Sequence, residues 1–316
     1  MASPSVPLGP SLPGLIAEEE LQFSKVTFWT RLRRHKLAVA GLIVLTLMVL
    51  AAALAKQLAP FDPNAIDNVH WQGTPLPPCF QDAAQCGGHP LGTDEVGRDL
   101  LSRLLFGARV SLAVGLFAVL MEILIGSTLG AIAGYYGGWI DYALMRLTDV
   151  FLSIPILPLL LVLTAIVAAS STKAALNFGV IVVIIGALSW MPVARLVRAS
   201  FLSLREREFA EAARAVGNND GRIIFRHLLP NAVAPIVVQG TLDVANVIIL
   251  ESGLSFLGLG IQPPTASWGN MLANAQSNLS IAWWAAVFPG LCILITALAI
   301  NYIGDGLRDA LDPNMN

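Results

Sequence analysis

The feature that most constrains this chain is an apolar run from Leu37 to Ala55, which contains no charged residue in 19 positions. As an α-helix this run would extend about 28 Å, close to the roughly 30 Å hydrocarbon thickness of a bilayer. Hydrophobic residues make up 55% of the 316 residues and charged residues only 13%. So few polar side chains cannot cover a water-facing surface, and the sequence therefore predicts a membrane protein.

Five further apolar stretches, bounded by charged residues, glycine or proline, predict additional spans. They lie at about 110–134, 150–169, 178–194, 232–250 and 282–304. With this layout, fourteen of the 19 Lys and Arg residues fall on one side, and the other five are Lys56, Arg98, Arg103, Arg109 and Lys173. Because cytoplasmic loops are enriched in Lys and Arg, we expect an all-α membrane protein with six transmembrane helices and both termini in the cytoplasm.

The remaining segments complete the expected organisation. Residues 1–24 are rich in Pro and Ser and lack the features of a signal peptide, which predicts a disordered tail. Residues 25–36 combine basic and aromatic side chains, typical of a cytoplasmic interfacial helix, although an ordinary basic flank of the first span is the alternative. The other expected segments are the first span at 37–56, an extracytoplasmic loop at 57–109, a five-helix core at 110–304 and a cytoplasmic C-terminal tail at 305–316.

Several function classes lack their sequence motifs. No Gly-Lys dipeptide occurs, so no Walker A phosphate loop can be drawn. The four histidines show no HExxH spacing, and no GxSxG motif is present. A formal net charge of −2 argues against binding to nucleic acid. We therefore predict no catalytic residue and no bound metal.

Cys79 and Cys86 lie seven residues apart in the expected extracytoplasmic loop. A small disulfide loop is the favoured interpretation in an oxidising compartment. Two alternatives stay open from the sequence: free thiols, and a zinc site that includes His70 and His89, although these spacings match no ordinary Cys₂His₂ pattern.

We name residues 203–230 the EAA segment, a charged stretch between the fourth and fifth expected spans. Residues 203–216 lack Gly and Pro and predict a helix, with Gly217 as its left-handed C-terminal cap and Asp220 as the N-cap of a second helix. On the first helix we expect an apolar stripe of Phe209, Ala213 and Val216 and a charged stripe of Arg207, Glu211 and Arg214. Its alanines would keep the helix slim enough to insert into a groove on another protein; a solvated loop helix is the alternative.

Within this segment, EAARAVG followed by HLLP resembles the EAA loop of ABC importer permeases. The matching residues are Glu211, Ala212, Ala213, Gly217, Leu229 and Pro230, and His227 stands where many such loops have Ile. Two more stretches, HPLGTDEVGRDLLSRLLFGARVSL at 89–112 and GLSFLGLGIQPPTASWGNML at 253–272, are similar to the C-type permease subunit of the dipeptide/oligopeptide/nickel branch. The resemblance covers about residues 25–314.

The resemblance implies a type I ABC importer permease fold and a non-catalytic subunit of the cell membrane that forms half of a translocation pathway for di- or oligopeptides. Nickel chelates or another small solute are the alternative cargo. Implied partners are a homologous B-type permease, two ABC ATPase subunits that bind ATP and Mg, an extracytoplasmic substrate-binding protein and membrane lipid. The implied ATPase-coupling residues are Arg207, Phe209, Glu211, Ala212, Ala213, Arg214, Gly217, Leu229 and Pro230. A stand-alone channel and an intramembrane hydrolase are remote alternatives. A channel has no use for an arginine-rich helix pair with an apolar stripe, and a hydrolase lacks a base because no histidine falls inside a span.

Two acidic residues, Glu122 and Asp243, fall within expected spans. Because a charged side chain facing lipid costs about 2.5 kcal/mol or more, we expect both to face the bundle interior. Asp243 can attract the ammonium end of a peptide, whereas a structural hydrogen-bonding role is the alternative for each acid. Pro155, Pro158 and Pro235 permit kinks in the third and fifth spans. We also expect Arg146 to pair locally with Asp141 or Asp149.

Overall fold

The computed structural model describes residues 30–170 and 177–311, and within these ranges the chain is almost entirely helical. The only β-type pairing among the described residues consists of two isolated bridges, Ile66 with Arg98 and Thr93 with Asp99. The expected tail at 1–24, residues 25–29 of the expected interfacial helix, Lys173 and residues 312–316 lie outside the described residues. Residues 30–34 are helical, and His35 then caps the first long helix by accepting a 3.1 Å hydrogen bond from the Ala38 N–H.

Eleven helices are numbered here in chain order along the described residues. They are α1 (Lys36–Ala53), α2 (Ala55–Leu58), α3 (Leu100–Tyr136), α4 (Gly138–Ser153), α5 (Ile156–Ser170), α6 (Phe178–Ser189), α7 (Met191–Leu204), α8 (Glu208–Ala215), α9 (Asp220–Phe256), α10 (Trp268–Ala275) and α11 (Trp284–Leu311). The continuous helix α9 contains a π-helical turn at Ile223–Leu228 and a 3₁₀ turn at Leu229–Ala232.

Four of these helices, α1, α3, α9 and α11, are each long and apolar enough to cross a membrane. Two further pairs reach the required length and composition only when each pair is taken together: α4 with α5, and α6 with α7. The described residues therefore contain four candidate spans, or up to six if each bent pair is one span. The long helix α3 lies at the centre and packs against α1, α6, α7 and α9.

Helix α3 begins at Leu100, rather than at about 110, so part of the expected loop at 57–109 is helical. Asp99 caps it by accepting a 2.7 Å hydrogen bond from the Ser102 N–H. Two arginines of the expected loop have hydrogen-bond acceptors inside the protein. Arg103 is buried and donates to the carbonyl of Pro63 at 3.1 Å, while Arg109 donates to the carbonyls of the α1 C-terminus.

The third expected span, 150–169, is not one straight helix. The chain bends by 87° between α4 and α5, at Ile154 and Pro155. Proline removes a backbone donor and clashes with the preceding turn, so it accounts for the break. The fourth expected span, 178–194, is divided as well, because α6 and α7 meet at Trp190 with a bend of 43°.

The last two long helices exceed their expected limits. Helix α9 continues to Phe256 instead of ending near 250, and α11 runs from Trp284 to Leu311 through much of the expected tail at 305–316. Close packing explains the second extension: Gly304 faces Leu242 of α9, and Gly306 lies against Ala38 of α1. The C-terminal part of α11 is therefore held by two other helices.

The contact between α3 and α7 depends on glycines at every fourth position of α3. A Cβ atom at Gly126 would lie 2.7 Å from the Trp190 carbonyl oxygen, and one at Gly134 would lie 2.6 Å from Phe201 Cβ. A Cβ atom at Gly130, which lies between them, would come at least as close to the Ala194 carbonyl oxygen. Small residues at this spacing let two helix backbones approach closely in a membrane.

Candidate functional site

The helix α8 forms the centre of the EAA segment. Arg207 precedes it in an extended conformation, with φ −81° and ψ 149°. Glu208 and Glu211 lie in the first turn and Arg214 in the last, so the charges at both ends complement the helix dipole. An eight-residue helix is too short to be stable alone, and it therefore depends on its neighbours.

Gly217 ends this helix in the left-handed conformation, with φ +80°, which confirms the prediction for this residue. The Gly217 N–H donates to the Arg214 carbonyl at 2.9 Å, and the Asn218 N–H donates to the Ala213 carbonyl at 3.3 Å. These two bonds form a Schellman motif. Because Gly217 lacks a Cβ atom, it adopts this conformation without strain.

The alanines of α8 face the chain's own core rather than outward. Ala210 and Ala213 are buried, while Ala212 is exposed. The buried alanines belong to an apolar cluster formed with Ala131, Val193, Val197, Phe201, Ile223, Ile224, Leu228, Ala232 and Ile236. The small side chains thus allow α8 to lie close to α7 and α9.

The expected apolar stripe is therefore wrong in one respect, since Ala213 is separated from Phe209 and Val216. Phe209 is 39% exposed and Val216 is 84% exposed, and Glu211 is exposed as well. An open groove of about 620 Å³ next to α8 is lined by Leu204, Glu206, Arg207, Glu208, Phe209 and Asn231. The outward surface of α8 consequently combines two large apolar side chains with charged ones.

The predicted helix over 203–216 is interrupted, because α7 ends at Leu204 and α8 starts at Glu208. Arg205 stabilises this interruption. Its Nη1 donates to the carbonyls of Gly134 at 3.1 Å and Tyr135 at 3.3 Å, and its own carbonyl accepts a 3.0 Å bond from Arg214. These contacts tie the interruption to the end of α3.

The second helix of the EAA segment is capped by Asn219, and not by Asp220 as expected. Asn219 Oδ1 accepts a 2.9 Å hydrogen bond from the Arg222 N–H. Asp220 instead accepts a 2.7 Å bond from the Tyr135 hydroxyl of α3. An Asn and an Asp in sequence are equally good caps, so local preference alone does not distinguish them.

Leu229 and Pro230 lie in the 3₁₀ turn of α9. Leu229 is half-buried against the same apolar cluster as the α8 alanines, whereas Pro230 is exposed. Because Pro230 has no N–H, the regular helical bond at this position cannot form, and the neighbouring π and 3₁₀ turns accommodate it.

Two ion pairs join the first half of the bent α4–α5 pair to α7. Arg198 donates to both oxygens of Asp141, and Arg195 pairs with Asp149. The expected local pairing of Arg146 is therefore wrong, because its guanidinium lies 5.1 Å from the Tyr142 ring centre. Arg195 and Arg198 are on the adjacent helix, which a pattern of local spacing does not reveal.

The expected intramembrane acids, Glu122 of α3 and Asp243 of α9, both line one cavity of about 380 Å³. Glu122 is 2% exposed and Asp243 is 8% exposed, so both face the interior. Gln239 Nε2 donates to the two Asp243 oxygens at 3.1 and 2.9 Å. The cavity also reaches the α4–α5 break and the α6–α7 break.

Sequence reasoning missed a third buried acid, Glu251, because the expected span ended at about 250. Glu251 is fully buried, and its Oε1 accepts hydrogen bonds from Ser255 at 2.7 Å and Ser267 at 3.1 Å. It thereby holds the loop before α10 against α9. The sequence signal that could have identified Glu251 as a buried acid is Ser255, which follows it by four residues on the same helix.

The structure joins Cys79 to Cys86 by a disulfide bond. Within residues 30–170 and 177–311, no group of three or more His, Cys, Asp and Glu side chains is arranged to hold a metal ion. The disulfide lies in the segment between α2 and α3, whose glycines at 87 and 88 have positive φ values.

The same segment is held together by His89, which is buried between two carboxylates. Its Nδ1 lies 2.9 Å from Asp99 Oδ1 and its Nε2 3.2 Å from Asp67 Oδ2, and His70 Nδ1 lies 2.8 Å from that Asp67 oxygen. Burial raises the pKa of the Asp67 carboxyl. Hydrogen bonds from the His70 and Val69 N–H groups and from both imidazoles outweigh burial and hold this pKa well below its usual range.

Comparison with known families gives two matches. The family described as "Binding-protein-dependent transport system inner membrane component" matches residues 126–316. The family described as "N-terminal TM domain of oligopeptide transport permease C" matches residues 26–78. Together these two matches include the EAA segment and Asp243, whereas Glu122 lies outside them.

Curated relatives resemble the chain over most of its length. The dipeptide transport system permease protein DppC of Alkalihalophilus pseudofirmus is 41% identical over 300 residues, covering 94% of this chain and 93% of the relative. The glutathione transport system permease protein GsiD of Pectobacterium atrosepticum is 43% identical over 290 residues, covering 91% and 90%. The MetNI methionine ABC transporter shares the fold, with TM-score 0.52 at 19% identity over 66% of this chain and 96% of that one.

Proposed function

Because the chain belongs to the family of binding-protein-dependent transport system inner membrane components, a family of multi-pass permease subunits of ABC importers, we propose that its cargo is a peptide. The support for a peptide cargo comes from the curated relatives. Their names specify a dipeptide, glutathione and a di- or tripeptide as the transported solutes. All three of these relatives align with 90% or more of the present chain.

We propose six membrane crossings, counting each bent pair as one, with both termini in the cytoplasm. The distribution of Lys and Arg supports this orientation, since seven arginines lie between 195 and 226 in and beside the EAA segment. The segment of the Cys79–Cys86 disulfide would then face the opposite, oxidising side, which agrees with where disulfides persist.

The chain is proposed to act without catalysing a reaction itself. It would pair with a homologous B-type permease and with two ABC ATPases that bind ATP and Mg, and receive its cargo from an extracytoplasmic binding protein. The absence of any Gly-Lys dipeptide from the sequence supports assigning ATP binding to the partners.

The observation that carries the coupling proposal is the division of α8 into two faces. Ala210 and Ala213 fix it to the chain's own core, while Phe209 and Val216 remain exposed beside Glu211. Large apolar side chains exposed next to charged ones are typical of a surface that binds another protein. An ATPase docked on this face would move α8 together with α7 and α9 as one rigid body.

The experiment that tests this proposal replaces Glu211 by Lys in the complete importer. We expect Glu211→Lys to insert and assemble, to retain ATP hydrolysis and to lose about tenfold or more of its peptide uptake, which corresponds to about 1.4 kcal/mol of coupling. Asp305→Lys makes the same charge change at an exposed position of α11, outside the EAA segment, and should transport normally. Wild-type uptake by Glu211→Lys would contradict the docking role.

The assembly and the cargo can be tested in one purification. We expect affinity isolation of the chain from its native membrane, followed by mass spectrometry, to recover a second permease and nucleotide-binding subunits. Peptides should be present among the co-eluting small molecules. Isolation of the chain alone, able to transport in liposomes without ATPases, would support a stand-alone carrier instead.

A further inference from the structure

The cavity that contains Glu122 and Asp243 is a cleft with a buried floor and an open mouth. The two acids, Met191 and Val247 are buried, whereas residues at the rim such as Pro155 are exposed. Its volume of about 380 Å³ lies within the range of sites that bind small organic molecules. The cleft is therefore large enough for part of a peptide.

The floor of this cleft holds two buried carboxyl groups, Glu122 and Asp243, and no neighbouring cation in the described part of the chain pairs with either of them. Among the described residues that line it, none is Lys, Arg or His. Glu122 Oε2 is buried and accepts no hydrogen bond from a described residue, and Glu122 lies close enough to Asp243 for the two carboxyl groups to interact electrostatically. A buried carboxylate without a partner is costly, so the arrangement favours a positively charged group supplied from outside.

The two helix breaks add acceptors to the same cleft. The C-terminal ends of α4 and α6, at Leu152 and Ser189, reach the cavity, and helix C-termini carry partial negative charge. A proline stands at the start of each following helix: Pro155 directly precedes α5 and Pro192 is the second residue of α7, and neither has an N–H group to donate. The breaks therefore offer carbonyl oxygens more than N–H groups, as at discontinuous helices that bind cations in transporters.

The walls of the cleft determine which kind of cation fits. They are formed mainly by apolar side chains, including Phe151, Leu188 and Leu250. A hard divalent cation requires about six or more oxygen ligands and would find few here. An ammonium group attached to an apolar body matches both the acidic floor and the apolar walls.

We infer that Glu122 and Asp243 bind the α-ammonium group of the peptide while it passes through the membrane, an inference that rests on the proposed peptide transport. The acids would hold the charged end of the peptide and the apolar walls its first side chain. The cleft would replace the hydration that the ammonium group loses when it enters the membrane.

The charge of the cleft can be measured without any peptide. In the complete purified importer, Cys292 is replaced by Ala and Ser189, on the cavity wall, by Cys. The thiol is then treated with methanethiosulfonate reagents bearing either a trimethylammonium or a sulfonate group. The rate at which each reagent modifies the protein thiol is divided by its rate with free 2-mercaptoethanol, which corrects for the reagent's own reactivity. We expect the corrected rate of the cationic reagent to exceed that of the anionic reagent by about tenfold or more. This difference should disappear when Asp243→Asn is introduced into the same protein. Equal corrected rates would overturn the inference.

The role of the acids in transport is tested with labelled Ala-Phe in liposomes that contain the complete importer and its binding protein. Glu122→Gln and Asp243→Asn keep shape and hydrogen bonding but remove charge, and each should lower uptake about tenfold or more while binding-protein docking and basal ATP hydrolysis persist. Asp305→Asn, which removes a carboxylate at an exposed position of α11 outside the cleft, should transport normally. Uptake unchanged in both acid variants would overturn only the ammonium site, whereas no uptake of Ala-Phe by the wild type would count against the peptide function itself.

Discussion

The hydroxyl group of Tyr135 donates a 2.7 Å hydrogen bond to Asp220 Oδ1, which joins the end of α3 to the EAA segment 85 residues further along the chain. Arg205 reinforces this junction by donating to the carbonyls of Gly134 and Tyr135. These contacts connect the long helix α3 to residues on both sides of the exposed helix α8. A displacement of α8 can therefore reach α3 without passing through flexible chain.

Removing this junction is expected to weaken the link between ATP hydrolysis and uptake. Tyr135→Phe deletes one hydrogen bond worth about 1 kcal/mol, so we expect uptake per ATP to fall up to about fivefold. Uptake and hydrolysis should be measured together in liposomes. Tyr136→Phe is the matched control, because no hydrogen bond joins the Tyr136 hydroxyl to another described residue. Equal ratios for the two variants would show that the junction transmits nothing.

The close contact of α3 and α7 predicts a large effect from a single methyl group. Gly126→Ala places a Cβ atom 2.7 Å from both the Trp190 carbonyl oxygen and Val193 Cβ. We expect a destabilisation of about 1 to 3 kcal/mol, measured as a lower thermal unfolding temperature in detergent. Gly290→Ala on α11, whose nearest neighbour would be 3.9 Å away, should leave this temperature nearly unchanged. Unfolding of both variants at one temperature would contradict the packing explanation.

The lowered pKa of Asp67 predicts a pH-dependent contribution to stability. Because the folded pKa lies below the unfolded value of about 3.9, the contribution is present above that pH and declines as pH falls towards the folded pKa. Asp67→Asn should therefore unfold at a lower temperature than wild type at pH 7, and the difference should shrink below about pH 4. Asp305→Asn, at an exposed position, should show no such trend. A difference that grows on acidification would refute this account.

The bond between Cys79 and Cys86 predicts a gain in stability from a short closed loop. Replacing both residues by Ser should cost about 2.5 kcal/mol by the chain-entropy relation for a loop of this length, seen as a lower unfolding temperature. Alkylation before and after reduction, followed by intact mass, should label only Cys292 in the unreduced protein. Cys292→Ala is the control that removes a thiol without opening the bridge. Ready labelling of Cys79 without reductant would reject the bond.

Features that depend on residues close together in the sequence could be predicted before the structure was known. The apolar run at 37–55 became α1, and Gly217 ended α8 with a positive φ, because each reflects local propensity or burial in lipid. Pro155 was expected to permit a kink, and the chain bends there because proline lacks an N–H group. The glycines at 126, 130 and 134 carried a small-residue signal that the sequence reasoning did not use.

The differences between expectation and structure arise from contacts between residues far apart in the sequence. Arg109 was placed in the expected loop at 57–109, yet it lies on α3, where carbonyls of the α1 C-terminus accept its hydrogen bonds. Asp141 pairs with Arg198, 57 residues away, rather than with Arg146 five positions along the same helix. Apolar composition and turn chemistry established that the chain crosses a membrane and where its helices can form. The partner of each charge, and the face of α8 left exposed, depended on which segments packed together, because buried polar groups are satisfied by whatever lies next to them in space.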